Sequence, residues 1–441
     1  MDVLLIDFEQ IITHTLKAIS PSHIFQEKIL IDNNQINYSG NSFELDRFEK
    51  IFVIGFGKAS SAMATEIEKY LLNKITGGLV ITKYGFKTPT KKIKVFEAGH
   101  PLPDKNTLKY SKGILDLLSK TTENDLVICL ISGGGSSLFE VPIEGIDLET
   151  LQSLNGFLIK QKIPINKINY FRKAFSKIKG GKLLNYIFPS TCISFIISDV
   201  VENDISVIAS GPTHLDANEL FINENEIPKI KNYLNSDNAL TKLESLVITK
   251  SFPEELIQYN NSRVFNYIVA SNKTALDASV EIAKKLGYEI HSLKYELSKS
   301  VDEISIIFID DFLQLTKKEK KSKQAIIYGS ETYLEVKGNG KGGRNQHLVL
   351  TIMNELIKKK IEIDFKFLIS SFATDGNDGN TDAAGAFFNN EIINKIIKSN
   401  YPTEIFLQNF DSYNFFNQFD CLIKTGPTFT NVADLFICLT F

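Results

Sequence analysis

Apolar residues are distributed along this chain in two patterns. Short unbroken apolar runs, as in strands buried on both faces, occur in "IFVIGF" (51–56), "GGLVITK" (77–83), "DLVICLIS" (125–132), "STCISFIISDV" (190–200), "FKFLISS" (365–371) and "DLFICLTF" (434–441). Between them, apolar positions recur three and four apart, as in helices. Leu4, Phe8, Ile11, Ile12, Leu16 and Ile19 set the pattern at the N-terminus, and "DKNTLKYSKGILDLLSK" (104–120) repeats it. Strands alternating with helices predict an α/β fold with a mainly parallel, doubly covered sheet. The segment 263–293 reads as strand, helix, strand, and 323–338 as a further strand. The polar stretch "TKSFPEELIQYNNSR" (249–263) is the expected boundary between two α/β domains, 1–250 and 263–441, with the helix at 1–20 of the first able to pack on the other.

Composition narrows the class. The chain has 441 residues, 43% of them hydrophobic, and a formal charge of -3, so no basic excess points to nucleic acid or a membrane surface. Cys129, Cys192, Cys421 and Cys438 show no CxxC spacing and read as buried reduced thiols, not a disulfide framework or zinc site. The N-terminus lacks the basic region of a signal peptide, and no apolar run approaches the roughly 20 residues that span a bilayer. These features predict a soluble cytoplasmic protein, a monomer or a homodimer, with a small-molecule substrate. Of 49 basic residues only Arg47, Arg172, Arg263 and Arg344 are arginine. Where lysine is the default cation, an arginine marks a place for a planar, permanently charged fork, unless its retention is chance.

The chemistry gathers at strand ends, where open parallel sheets bind ligands. "SGGGSS" (Ser132, Gly133, Gly134, Gly135, Ser136, Ser137) follows an apolar strand. Its missing Cβ atoms would let backbone N–H groups approach a phosphate, the alternative being a turn that needs positive φ. "GFGKAS" (55–60) has a glycine turn after a strand, but the next strand ends in Lys83 where a dinucleotide site wants an acid. Lys58 therefore reads as an anion-binding lysine or a surface one. "NYFRKAFSKIKGGKLL" (169–184) sets Arg172 and four lysines, Lys179 among them, around a Gly-Gly, as anion contacts or as a solvated face. "VKGNGKGGRNQHLVL" (336–350) puts Gly342, Gly343, Arg344 and Asn345 before an amphipathic helix. An arginine at a helix start opposes the dipole, and an anionic ligand would reconcile it. "FATDGNDGNTDAAGA" (372–386) carries Asp375, Asp378 and Asp382, and Asp199 stands at another strand end; Mg²⁺ beside phosphates and Asx-turns both account for such acids. No Walker loop or protein-kinase motif set is present. The set describes an ATP-type phosphotransferase, where positioning and charge supply most of the catalysis.

These motifs, with "EAGHPLPDKNT", "SDVVENDISVIASGPT" and "TGPTFTNVADL", resemble in order and over nearly the whole chain the glycerate 2-kinase family, which joins an N-terminal kinase domain to a C-terminal MOFRL domain. The resemblance implies a Rossmann-like first domain, a second α/β domain, and a site in the cleft between them. It also implies ATP-dependent phosphorylation of D-glycerate at its 2-hydroxyl with Mg²⁺. The family's essential lysine and arginine fall on Lys58 and Arg344. Phosphate binding is expected from Ser132–Ser137 with Gly342 and Gly343, substrate binding from Arg172, Lys179 and Asn345, and metal binding from Asp199 and Asp375. The sequence departs from the family pattern at Ala174, Phe175, Glu202, Ser330, His347 and Phe429. A hydroxypyruvate reductase using NAD(P)H, and a ligand-binding protein without activity, are the competing readings.

Overall fold

The protein is described by a computed structural model over residues 2–32, 34–160, 165–215, 252–316 and 322–441. It divides into two compact units. One comprises Ile24–Ser198 and Asn203–Val269, the other Met1–His23, Asp199–Glu202 and Ala270–Phe441.

The first unit opens with three short strands, β1 (Leu30–Ile31), β2 (Gln35–Tyr38) and β3 (Asn41–Glu44), paired antiparallel. Its main sheet contains β4 (Ile51–Phe56), β5 (Ile75–Lys83), β6 (Ile93–Ala98), β7 (Leu126–Ser132), β8 (Thr191–Ile197) and β9 (Val264–Ala270) in the order β6-β5-β4-β7-β8-β9. The pairings from β6 through β8 are parallel. Every residue of β4 and β7 is buried, which is why these segments read as unbroken apolar runs. This is the Rossmann-like strand order, and the chain reverses direction across the sheet between β4 and β7.

The second unit has a mixed sheet of β10 (Glu289–Leu297), β11 (Gln324–Ser330), β12 (Phe367–Ala373), β13 (Gly385–Asn389), β14 (Leu422–Ile423) and β15 (Asp434–Thr440), ordered β10-β11-β15-β12-β13-β14. Only β10 and β11 pair parallel; the other four pairings are antiparallel. An apolar run reports burial and not direction, so the antiparallel course of β15 was hidden in the sequence. The strand-helix-strand segment at 263–293 also divides: β9 joins the first sheet, whereas β10 lies in the second. Residues 249–251 of the expected boundary lie outside the described residues.

The N-terminal helix, Val3–Ala18, belongs to the second unit. Asp2 caps it by accepting from the Leu4 N–H at 3.1 Å, and Leu4, Phe8, Ile11 and Ile12 form its buried stripe. Thr15 shares a 2.8 Å hydrogen bond with Ser279, and Asp7 accepts from Tyr288 and Lys323, each at 2.8 Å. Among the described residues no helix is long and apolar enough to cross a membrane.

His347 lies in the helix Arg344–Lys358, its ring stacked on Phe410 with centroids 4.8 Å apart. Its Nδ1 is buried without a hydrogen-bond partner in the protein. Burial lowers its pKa from 6.5 to about 4, against a weaker pull from Asp302. The unfolded chain then binds the extra proton between these values, so stability falls as pH drops through 6.5 and levels off below about 4. At pH 5 this one group removes about 2 kcal/mol. Denaturant unfolding at pH 7.5 and pH 5 should show a smaller acid loss, by about that amount, in His347→Phe. Equal losses in the two proteins would contradict the assignment.

Candidate active site

In the first unit, Lys58 and the triple-glycine loop leave the adjacent strands β4 and β7 at the reversal point. They are joined there. The Lys58 N–H donates to the Gly133 carbonyl at 2.9 Å, and the Ala59 N–H donates to Ser132 Oγ at 2.9 Å. Gly57 makes this possible: its φ is +132°, and a Cβ there would lie 2.2 Å from Ser132 Oγ. Ser132 is fully buried and also bonds Ser60 Oγ at 3.2 Å, so its hydroxyl fastens the two turns. Gly135 is buried against Phe56 and Ala209. Lys58, Gly134, Ser136 and Ser137 keep solvent contact.

Two further loops close on this one. The Gly180 N–H donates to the Ser210 carbonyl at 2.9 Å and the Gly181 N–H to the Gly211 carbonyl at 2.7 Å. Ser210 Oγ shares a 2.8 Å hydrogen bond with Ser136 Oγ and donates to Asn169 Oδ1 at 3.4 Å. Ala209 and Ser210 are non-glycine residues at φ of 51° and 64°, conformations that persist only where the surroundings over-determine them. Nearby, Lys179 is paired with Glu140, both side chains 3% exposed. Burial lowers the Lys179 pKa and Glu140 opposes the shift. This lysine is committed within the protein. Arg172 is half-buried; burial lowers its pKa and Glu140 counters it. Lys182 donates to the carbonyls of Lys173 and Ser176, and burial pulls it down to about 8.

In the second unit, register sets the site. Asp434 opens β15 opposite Ser330, the last residue of β11, and Ala373, the last of β12. Glu331 and Asp375 therefore follow at the same sheet edge. Arg344 forks onto Asp434, with Nε donating to Oδ2 at 2.6 Å and Nη2 to Oδ1 at 3.0 Å. Asp434 is fully buried, whereas the arginine side chain remains 39% exposed. Burial works against the guanidinium charge, and Asp434, helped by Asp378 and Glu331, more than restores it, so its pKa rises. Asp378 caps the helix, accepting from the Asn345 N–H at 3.1 Å and the Gln346 N–H at 2.8 Å. Within the protein, Asp434 offsets the unfavourable placement of Arg344 at a helix start, and Asp378 caps the same helix with its pKa raised to about 7 by burial.

Asn345 is fully buried, donating to Asp378 and accepting from Ser371 Oγ at 2.5 Å. A Cβ on Gly343 would lie 2.3 Å from Asp378, and one on Gly342 2.3 Å from Ser412 Oγ, so these glycines allow close packing of the capping loop. Asp199 accepts from Asn431 at 2.8 Å, and Asp375 accepts from the Asn377 N–H at 3.0 Å in an Asx-turn. Glu331 is exposed to solvent, and its pKa is raised by partial loss of hydration first and then by Asp199 and Asp434, against Arg344. Among the described residues no three His, Cys, Asp or Glu side chains form a metal cage. The donors are hard oxygens with an excess of negative charge, which suits Mg²⁺, a cation that takes one or two carboxylates and keeps its waters.

Sequence reasoning missed Asp434, Glu331 and Glu140, and it read Asp378 as a metal or turn acid, not as the cap of the helix that Arg344 opens. Asp434 interrupts nothing in the apolar pattern, since it opens the run "DLFICLTF", and only the register shows it beside Arg344.

A Rossmann-like sheet with a glycine loop and a lysine at its reversal point, together with an arginine anchored at a second sheet, defines an α/β enzyme built to handle anionic groups. Residues 7–224 match the family model described as a domain of unknown function, DUF4147, and residues 324–434 match the MOFRL family. Over 434 residues the chain is 33% identical to a glycerate 2-kinase of Pyrococcus horikoshii, covering 98% of this chain and 96% of that one. It is 34% identical to a D-glycerate 2-kinase of Thermotoga maritima, covering 89% and 91%. The crystal structure of a glycerate kinase from Thermotoga maritima superposes with a TM-score of 0.79 over 99% of each chain, at 31% identity. The chain belongs to the glycerate 2-kinase family.

Proposed function

We propose that this enzyme transfers the γ-phosphoryl group of ATP to the 2-hydroxyl of D-glycerate in the cytoplasm, giving 2-phosphoglycerate and ADP. The observation that carries the reading is the joining of Lys58 to the triple-glycine loop at the sheet's reversal point, where α/β sheets bind nucleotides. The names of the relatives supply the acceptor.

In this reading the hydroxyl oxygen of glycerate attacks the γ-phosphorus as the bond to the ADP oxygen breaks, and the hydroxyl proton passes to solvent water. Backbone N–H groups of Gly133–Gly135, with Ser136 and Ser137, hold the phosphates. Lys58 and Arg344 stabilise the charge that develops on the transferring group. Arg172 receives the substrate carboxylate. Lys179 and Asn345 act at one remove, Lys179 by neutralising Glu140 and Asn345 by seating Asp378. Gly342 and Gly343 serve the phosphates only through the placement of Arg344. Asp199 with Asp375 would hold Mg²⁺, which neutralises phosphate charge when bound.

Purified protein with ATP, Mg²⁺ and D-glycerate should give a signal when enolase is the only coupling enzyme after transfer, because enolase accepts the 2-isomer directly. ADP release without an enolase signal, until phosphoglycerate mutase is added, would place the phosphate on the 3-hydroxyl and refute the regiochemistry.

A further inference from the structure

The loop after β6 does something that neither the fold nor the reading above requires. In the sheet order β6-β5-β4-β7, a residue following β6 must cross the ends of β5 and β4 to reach the loop after β7. His100 makes this crossing. A Cβ on Gly134 would lie 2.8 Å from His100 Cδ2, 2.9 Å from its Nε2 and 3.4 Å from Lys58 Cγ. The imidazole edge and the lysine stem thus meet over the middle glycine, which has φ of +78°. The crossing is anchored at its far end. Asp104 and Thr107 form a reciprocal capping box at the start of the helix Lys105–Leu118, and Tyr84 donates to Asp104 at 2.7 Å. Gly99 turns tightly, since a Cβ there would lie 2.6 Å from the Leu102 carbonyl oxygen. The positive φ at residue 134 calls for glycine, and the space this leaves over the loop is taken by the His100 ring edge, whose Nε2 would lie 2.9 Å from a Cβ at 134. An imidazole brought across two strands thus sets a ring nitrogen beside the Lys58 stem at the loop's open side, where a filler needs no polar atom.

We propose that His100 is a third anion-contacting residue of the glycine loop, with Nε2 donating to the same phosphate group that the loop N–H groups hold. This rests on the reading of the loop as the nucleotide phosphate site. The probe is ADP, titrated calorimetrically into the full-length wild type, His100→Gln and His100→Phe. Glutamine retains an N–H donor near the Nε2 position, and phenylalanine retains the ring without it. Loss of one such hydrogen bond corresponds to about a tenfold weaker Kd, expected for phenylalanine, with glutamine within about threefold of wild type. Phenylalanine binding as well as or better than glutamine would make the ring a packing element and overturn the proposal.

A second measurement needs no altered protein beyond the one used for assignment. In ¹⁵N-histidine-labelled wild type, the Nε2 resonance missing from His100→Gln should shift on adding ADP, and an unmoved resonance also overturns the proposal. Wild type that binds no ADP would instead remove the phosphate-loop reading itself, and the proposal with it.

Discussion

Arg344→Lys should lower kcat by about 10²-fold, the scale of removing one fixed donor aimed at a developing charge, while positive charge at the position is kept. The reason lies in Asp434. The guanidinium spends Nε and Nη2 on this buried carboxylate and presents its remaining edge to solvent. A lysine has a single nitrogen on a flexible stem, so it cannot hold the carboxylate at two points and also face a ligand. Asp434→Asn keeps the shape and removes the charge that fixes the fork, and it should reproduce most of the loss in kcat. Steady-state kinetics of both variants, with circular dichroism to confirm folding, tests this; near wild-type turnover in the lysine variant would refute it.

Lys58→Ala should lower kcat by roughly 10² to 10³ with a much smaller change in the KM for ATP, as expected of a group whose interaction grows in the transition state. The backbone of Lys58 is already used to fasten the two loops, and alanine preserves that bond to Gly133. The substitution therefore isolates the ammonium. A loss confined to KM would make Lys58 a ground-state nucleotide ligand, and unchanged kinetics would make it a bystander.

Much of this was legible in the sequence, and the residues show why. Buried parallel strands must be apolar on both faces, so β4, β7 and β8 announced themselves, and the glycine and lysine motifs at their ends followed from where such sheets bind ligands. What apolarity cannot carry is partnership. β9 is as apolar as its neighbours in sequence, yet it joins a different sheet from β10. Arg344 was found by its conflict with the helix dipole, but the carboxylate it forks onto, Asp434, lies 90 positions on and was invisible until the strands were in register. The acids of the glycine-rich loop look alike in sequence and have different roles: Asp375 turns its own loop, Asp378 caps a helix, and Asp382 pairs with Lys424 at the surface. Ser132 looked like its neighbours Ser136 and Ser137, and only burial separates it from them.

The N-terminal helix has a consequence for how the molecule is made. Its buried face closes against residues of the second unit: Phe8 packs on Phe387, Thr15 bonds Ser279 on the helix Asn272–Lys285, and Asp7 bonds Tyr288 beyond it. Synthesis proceeds from the other direction, and roughly 250 residues separate this helix from those partners, about 10 to 50 s at ordinary elongation rates. During that interval the helix travels with its apolar face uncovered while the strands of the parallel sheet leave the ribosome behind it. A segment made well before its partners waits for them to find its place.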